Sequence, residues 1–575
     1  MKRPSILLLF ILALFVTGLA AVVRADPKSV VIRGVDDDSE LGEWLDDVIV
    51  KRYDEAEEQR ESQSLKRDVI RALEAKGYYE PKVEIIEGDN LPPEARIQTG
   101  PRYTVGSIAI AGVTGHEIRT LEVGEPLDAI SVLETQRNFA EDLQADGCYY
   151  DLDVSHKVVL NEKTNTGAIT FVADAGPKAT FGTVTFEGAP NISRRHLNRF
   201  VTFEPETCWH QSEIEETKEA LLETGLLAIV REDLPDSPDA NGRVDVVFNL
   251  TERAPRSVRL GVSYYTDEGP GLVASWIHRN FRGEGEVLEA SMRTNFLEQS
   301  LSADYAKPYF FNDEDLALNL YTRLAHEDTD AFDTKSLNVG ASVDVRFDEY
   351  VKGTFGTTFE LSRIEDKNSG EENDFGLYSV YGQFTFDNRD DPLNPTRGFL
   401  LRARAEPFFD VLGESSPFFK SSIAANTYFA FDEDRDLILA LRGRLGSITG
   451  AAVDDVPATK RFYAGGSGSI RGFGFQEASP FENGDPSGGR SLIETSTELR
   501  YRFKENMGAV VFVDAGGAYE SSYPDFDEGL YVGAGVGFRY YTGFGPLRFD
   551  VAVPVNKSDQ ASSAFQLYAS IGQAF

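Results

Sequence analysis

The densest collection of residues that could do chemistry is the glycine-rich stretch Arg461-Phe462-Tyr463-Ala464-Gly465-Gly466-Ser467-Gly468-Ser469-Ile470-Arg471-Gly472-Phe473. Loops of this kind can cradle phosphates. The spacing here fits neither the P-loop nor the dinucleotide fingerprint, however, and no helix follows to supply its dipole. Ser467 lacks the Gly-x-Ser-x-Gly frame of a hydrolase nucleophile. Histidines 116, 156, 196, 278 and 326 form no His-Glu-x-x-His or triad-like group. His210 beside Cys208 is too few ligands for a metal. Asp432-Glu433-Asp434-Arg435-Asp436 suggests calcium, but glycine at loop position six and glutamate at twelve are missing. That run reads as a solvated hairpin tip. The sequence therefore indicates a protein without catalytic residues, cofactor or metal.

The surrounding elements indicate where such a chain works. Lys2 and Arg3 precede an apolar run from Ile6 to Val23, and Val23-Arg24-Ala25 puts small residues at −3 and −1. This pattern predicts a signal peptide over residues 1–25. Beyond Val23 no apolar run reaches the roughly 20 residues of a membrane helix, so any later crossing must use strands. A net charge of −37 argues against nucleic acid as a partner. Phe 39 and Tyr 23 against Met 3 and Cys 2 suit an all-β envelope protein. Cys148 and Cys208 lie in the exported part, where an oxidising compartment permits a disulfide. A bridge and two buried thiols both remain open.

The first half repeats. Thr99-Gly100-Pro101-Arg102-Tyr103-Thr104-Val105-Gly106, leading to Gly112, matches Ala175-Gly176-Pro177-Lys178-Ala179-Thr180-Phe181-Gly182, leading to Gly188. A weaker copy starts at Ala254-Pro255, and the opening Val30-Val31-Ile32-Arg33-Gly34 repeats less clearly. Each unit holds one helical face ending on glycine: Leu65, Val69, Ile70 and Leu73 before Gly77; Val132, Phe139 and Leu143 before Gly147; Ile214, Thr217 and Leu221 before Gly225. Ser131 with Glu134, and Ser212 with Glu215, have capping-box spacing. Extended segments follow each glycine. This predicts three small α+β modules over 26–100, 101–176 and 177–253.

From 254 to 575 the pattern is alternation. Val532, Ala534, Val536, Phe538 and Tyr540 oppose Gly533, Gly535, Gly537 and Arg539. Phe549, Val551 and Val553 alternate with Arg548 and Asp550, and Leu499, Tyr501 and Phe503 oppose Glu498, Arg500 and Arg502. An apolar face recurring over about ten residues, backed by a face charged with both signs, is the membrane-barrel pattern. At about 20 residues per strand and connection, this region gives about sixteen antiparallel strands. The last segment, Phe565 to Phe575, puts Phe575 on one face with Ile571, Leu567 and Phe565.

These features together resemble a known family. The three modules resemble POTRA domains. The Ile470-Arg471-Gly472-Phe473 stretch is similar to the conserved lumen loop of the BamA/TamA superfamily of outer-membrane assembly factors, whose second half is a bacterial surface antigen barrel. Phe512-Val513-Asp514-Ala515-Gly516 resembles that family's Phe-x-Asp-x-Gly motif, which implies Asp514 as the acid anchoring Arg471. Asp387-Asn388-Arg389-Asp390 through Gly398 looks like its turn before a strand, and Gly535 through Asp550 its closing hairpin. A last strand ending in phenylalanine, with Tyr568, Ile571 and Phe575, is similar to its targeting signal.

The resemblance implies a location in the bacterial outer membrane with the modules in the periplasm. It implies a non-enzymatic translocation and assembly factor, inserting or exporting envelope proteins such as autotransporters. Three modules resemble the TamA type, with an inner-membrane-anchored TamB-like partner, unfolded outer-membrane clients and outer-membrane lipid around the barrel. A two-partner-secretion exporter pore is the alternative.

Overall fold

The computed structural model describes residues 30–36, 39–51, 62–88, 91–526, 529–543, 545–556, 564–571 and 573–575. The expected signal peptide lies outside them. The chain forms two compact units. One holds the described residues up to Thr185 with Thr202–Glu216 and Glu232–Val247; the other holds Phe186–Val201, Thr217–Arg231 and Phe248–Phe575.

Each module pairs a three-stranded sheet with a helix. In the first, β1 (Val31–Arg33), β2 (Lys82–Gly88) and β3 (Leu91–Gln98) lie in the order β1-β3-β2, with β1 parallel and β2 antiparallel to β3. The second repeats this with β4 (Thr104–Ala111), β5 (Leu152–Asn161) and β6 (Thr166–Ala175), ordered β4-β6-β5 with the same directions. In the third, β7 (Thr180–Glu187), β8 (Leu227–Asp233) and β9 (Arg243–Glu252) take the order β7-β9-β8. The helices are α1 (Glu40–Leu45), α2 (Ser62–Ala75), α3 (Ala129–Gly147), α4 (Arg194–Leu197) and α5 (Gln211–Glu223). Leu65, Val69 and Leu73 of α2 bury against Val83 and Ile97. Val132, Phe139 and Leu143 of α3 bury against Ile169 and Phe171. The 3.6-residue spacing thus becomes one buried stripe per module.

The repeat has a steric cause. Gly112 (φ +93°) and Gly188 (φ +83°) both follow the first strand of their module, and a Cβ at either would strike a carbonyl oxygen, of Ala173 or Leu250. Gly34 (φ +99°) does the same against Ile97, which joins the weak first copy to the pattern. Only glycine fits there.

Two local readings are corrected. Helix α3 starts before Ser131, because Asp128 caps it by accepting from the Ile130 amide at 2.9 Å; aspartate caps as well as serine. Ser212 likewise lies inside α5. The left-handed residue ending α3 is Cys148 (φ +53°), not Gly147, whose missing side chain makes room for the Tyr149 ring. Helices α1 and α4 have no counterpart in the sequence reading.

Cys148 and Cys208 are joined in a disulfide, tying the end of α3 to the third module. Around it the Tyr150 and Trp209 rings meet edge-on at 5.0 Å, and the Gln144 amide donates to the Trp209 carbonyl at 3.1 Å.

Sixteen strands close the barrel. The first eight are β10 (Arg256–Tyr265), β11 (Gly269–Arg279), β12 (Val287–Thr294), β13 (Glu298–Lys307), β14 (Leu316–Asp328), β15 (Phe332–Arg346), β16 (Val351–Asp366) and β17 (Glu371–Asp387). Next come β18 (Gly398–Asp410), β19 (Phe418–Ala430) and β20 (Leu437–Thr449). A long loop holding the small hairpin β21 (Phe481–Glu482) and β22 (Asp485–Pro486) leads to β23 (Ser491–Lys504), β24 (Met507–Tyr519), β25 (Tyr531–Thr542), β26 (Gly545–Pro554) and β27 (Gln566–Ile571). The apolar faces point outward, where Val536, Phe549 and Val551 are 43–59% exposed, and the charged faces point inward. Among the described residues no helix is long and apolar enough to cross a membrane.

The tail departs from the expected alternation. β27 stops at Ile571, and Phe575 turns inward against Tyr428, Ile438 and Ala440. Its carbonyl accepts from Arg500 at 3.2 Å and its ring lies 5.4 Å from that guanidinium. Period-two spacing places Phe575 beside Ile571 only while the strand continues, and here the lumen arginines take the ring instead.

At the base of the barrel His196 is buried against the rings of Phe200 and Tyr309, at 5.2 and 5.7 Å. Its Nδ1 faces an Arg199 N–H at 3.4 Å, which it accepts when neutral. Burial first, and then the Arg199 charge, hold its pKa down at about 4; Glu284 and Glu286 oppose this weakly. A depressed pKa means stability is fully present above the ordinary 6.5 and is lost as pH falls through about 4. Urea midpoints measured across that window are expected to fall with acid, and His196→Gln is expected to flatten the decline. For the arm, closing the disulfide loop contributes about 4 kcal/mol by chain entropy. Reduction of the full chain is expected to speed proteolysis between the second and third modules while the barrel stays resistant.

Candidate functional site

Arg471 enters the lumen on the loop between β20 and β23 and meets four neighbouring strands. Its Nε donates to Asp514 Oδ2 at 2.6 Å, its Nη2 to Asp514 Oδ1 at 2.9 Å, and its own backbone amide to Oδ2 at 3.1 Å. Nη1 reaches Glu498 at 2.6 Å and Asp550 at 3.2 Å, and Nη2 reaches the Ser496 hydroxyl at 3.2 Å. The guanidinium carbon lies 3.5 Å from the centre of the Phe512 ring. Arg471, Glu498, Asp514 and Asp550 are each at most 2% exposed. The paired donors of arginine match a carboxylate's two oxygens, which a lysine could not do.

The acids are shared with three further arginines. Glu498 accepts from Arg500 at 2.9 Å, and Asp550 from Arg548 at 2.6 Å and from Arg539. Arg539 and Arg548 are register partners on β25 and β26. Like charges opposite each other destabilise a sheet, and Asp550 between them removes that cost. Strand alternation delivers all of these groups to one wall: Ser496 and Glu498 on β23, Phe512 and Asp514 on β24, Arg539 on β25, Arg548 and Asp550 on β26.

The glycine face of β25 gives the loop its seat. A Cβ on Gly533 would collide with the Arg471 carbonyl oxygen, and one on Gly537 with the Asp550 carboxylate. Ile470 and Phe473 are fully buried on either side of the arginine, in an apolar cluster with Phe332, Ile364, Phe408 and Phe418. The same loop is fastened to the opposite wall by Lys460 to Glu360 at 2.6 Å and Arg461 to Asp366 at 2.9 Å. It therefore spans the lumen.

It also touches the closing strand β27 and the turn that follows β10. The Gly472 amide donates to the Tyr568 hydroxyl of β27 at 3.1 Å, and Ser467 donates to Glu268, in the turn after β10, at 3.3 Å. Of the residues singled out from sequence, Ile470, Arg471, Gly472, Phe473, Asp514 and Tyr568 thus meet in one place. Ile571 faces outward, Phe575 packs elsewhere in the lumen, and Cys148 with Cys208 lies in the arm. Glu498, Asp550, Arg500, Arg539 and Arg548 complete the site. Their alternation showed only that they face inward, because cross-strand register is not visible in one sequence.

Removing Arg471 leaves Asp514 buried and unpaired, at a cost of about 3–5 kcal/mol. Arg471→Ala is expected to lower the temperature at which the barrel loses its compact mobility on detergent gels. Arg471→Lys is expected to recover only part of this. Gly533→Ala removes no charge yet is expected to lower the same temperature by displacing the loop; an unchanged transition would overturn the seating role of that glycine.

Residues 280–575 match the Omp85 superfamily domain. The outer membrane protein assembly factor BamA of Nitratidesulfovibrio vulgaris is 25% identical over 519 residues, 86% of this chain and 65% of that protein. BamA of Neisseria meningitidis serogroup B is 22% identical over 536 residues, 81% of this chain and 66% of that one. The chain thus spans just under two thirds of the length of these relatives. The crystal structure of BamA from Haemophilus ducreyi lacking POTRA domains 1–3 superposes with a TM-score of 0.73 at 18% identity, covering 82% of this chain and 100% of that one. A closed sixteen-strand barrel with an apolar outer wall, preceded by three small mixed modules, is built for a bacterial outer membrane with the modules on the periplasmic side. By its barrel, its lumen loop and these matches, the chain belongs to the Omp85 superfamily.

Proposed function

We propose that this chain is an outer-membrane protein assembly factor: it receives unfolded envelope proteins at its periplasmic modules and passes them into the membrane through the seam between β10 and β27. The observation that carries this reading is the seam itself. Among the described residues β10 and β27 share two register pairs, Tyr264 with Ala569 and Tyr265 with Tyr568, whereas β10 and β11 share ten. An unpaired edge facing lipid is costly, and an incoming strand of a client would satisfy it by β-augmentation. The edges of the module sheets offer the same kind of template on the way. The reaction is a transfer of hydrogen bonds and needs no enzymatic step.

Three modules support the narrower reading of a TamA-type factor. Its partner would be a TamB-like protein anchored in the inner membrane, and its clients would include autotransporters. The lumen-spanning loop weighs against a permanently open exporter pore. Cysteines introduced as Tyr264→Cys and Ala569→Cys test the seam. Oxidation is expected to abolish insertion of an unfolded barrel client into vesicles carrying the chain, and reduction to restore it. Insertion that continues with the seam cross-linked would sink this mechanism, and a large steady conductance in planar bilayers would favour the pore.

A further inference from the structure

The turn from β13 to β14 is built against ordinary backbone preference. Within it Tyr309 (φ +54°), Phe311 (φ +55°) and Asn312 (φ +67°) all adopt the left-handed conformation, and none is glycine. Strain of this kind persists only where surrounding structure imposes it, and it concentrates at functional positions. Here it presents the Phe311 ring, 83% exposed, beside Phe310. The turn lies at the periplasmic end of the apolar wall, close to Leu320 of β14, which faces outward.

A second observation is independent of the first. Segment Phe186–Val201 brings Arg195 and Arg199 to this turn, with the exposed Arg194 next to them in sequence. Arg195 Nη2 donates to Asn312 Oδ1 at 3.4 Å, and Arg199 donates to the same oxygen from Nε at 3.2 Å and Nη2 at 2.8 Å. The Arg199 guanidinium lies 5.1 Å from the centre of the Tyr309 ring. Two guanidiniums thus converge on a neutral amide oxygen although acids are near. Asp315 is engaged with Arg346 at 3.0 Å, and Asp313 caps the Asp315 amide at 2.9 Å. Arg194 and Arg195 are exposed.

We propose that Arg194, Arg195 and Arg199 with Phe310 and Phe311 form a binding site for an anionic phospholipid of the periplasmic leaflet, the guanidiniums taking its phosphate and the phenyl rings entering its acyl region. Forked N–H donors match phosphate oxygens. Aromatic rings beside cations at a barrel rim sit where hydrocarbon meets headgroups. Binding there would hold the segment Phe186–Val201 at the membrane surface.

Native mass spectrometry of the full chain, released from nanodiscs of phosphatidylcholine mixed with phosphatidylglycerol, tests this. The natural chain is expected to retain phosphatidylglycerol preferentially. Arg194→Gln with Arg195→Gln, two exposed positions, is expected to reduce that preference several-fold, Phe311→Ser to reduce it in part, and lysine at both arginines to retain only part of it. Added inorganic phosphate is expected to leave retention unchanged; displacement by it would assign the cluster to a soluble phosphate and overturn the lipid site. Equal retention by natural and glutamine chains, both showing the folded barrel's gel mobility, would overturn it as well.

Discussion

Hydrocarbon offers no hydrogen bond to a backbone amide, and the architecture of this chain follows from that single fact. Strands can lie in lipid only if each is paired on both sides, so the sheet must close on itself. Closure with alternating side chains puts every second residue in lipid and the rest in the lumen. Apolar residues such as Val536 and Phe549 take one direction, Arg539, Arg548 and Asp550 the other. The lumen is then a crowded ring of charges that must be matched among themselves.

Matching there is strict. Asp514, Glu498 and Asp550 are acceptors fixed on three different strands, so no single wall arginine can serve all of them. Arg471 can, because it arrives from a loop and is free to approach along the strand normal. Its three guanidinium nitrogens divide among the three acids and Ser496. The loop is held by the counterion it supplies, and the apolar residues flanking it, Ile470 and Phe473, are sealed by the same contact. Anchoring and filling of the lumen are one event.

Sequence patterns of period 3.6 and period 2 read well because each is set by burial of one face. The faces of α2 and α3, the outward residues of β25 and β26, and the count of about sixteen strands all follow from them. Asp514 was legible only through resemblance of a short motif. Its neighbours Glu498 and Asp550 were not, since they lie 16 and 36 residues away in sequence and meet only when strands are placed side by side. The Phe575 placement failed for a related reason: alternation describes a strand, and the strand ends at Ile571. Caps failed because Asp128 and Ser131 are equally good candidates until the helix start is known.

The rule that closes the barrel also locates its weakest line. β16 and β17 share sixteen register pairs, while β10 and β27 share two among the described residues. The shortfall is made up partly by side chains: Thr266 Oγ1 accepts from the Leu567 amide at 3.1 Å, and Tyr568 and Glu268 hold the loop rather than each other. A ladder bond can be exchanged only for another backbone, whereas a side-chain contact can be given up by rotation about a single bond. The lumen loop is fixed at Arg471 by buried charges, and it meets β27 and the turn after β10 through the Tyr568 hydroxyl and the half-buried Glu268. The strong contacts and the weak ones are thus on the same loop: its buried ion pairs fall on β23, β24 and β26, and single hydrogen bonds reach the line where the ladder is shortest.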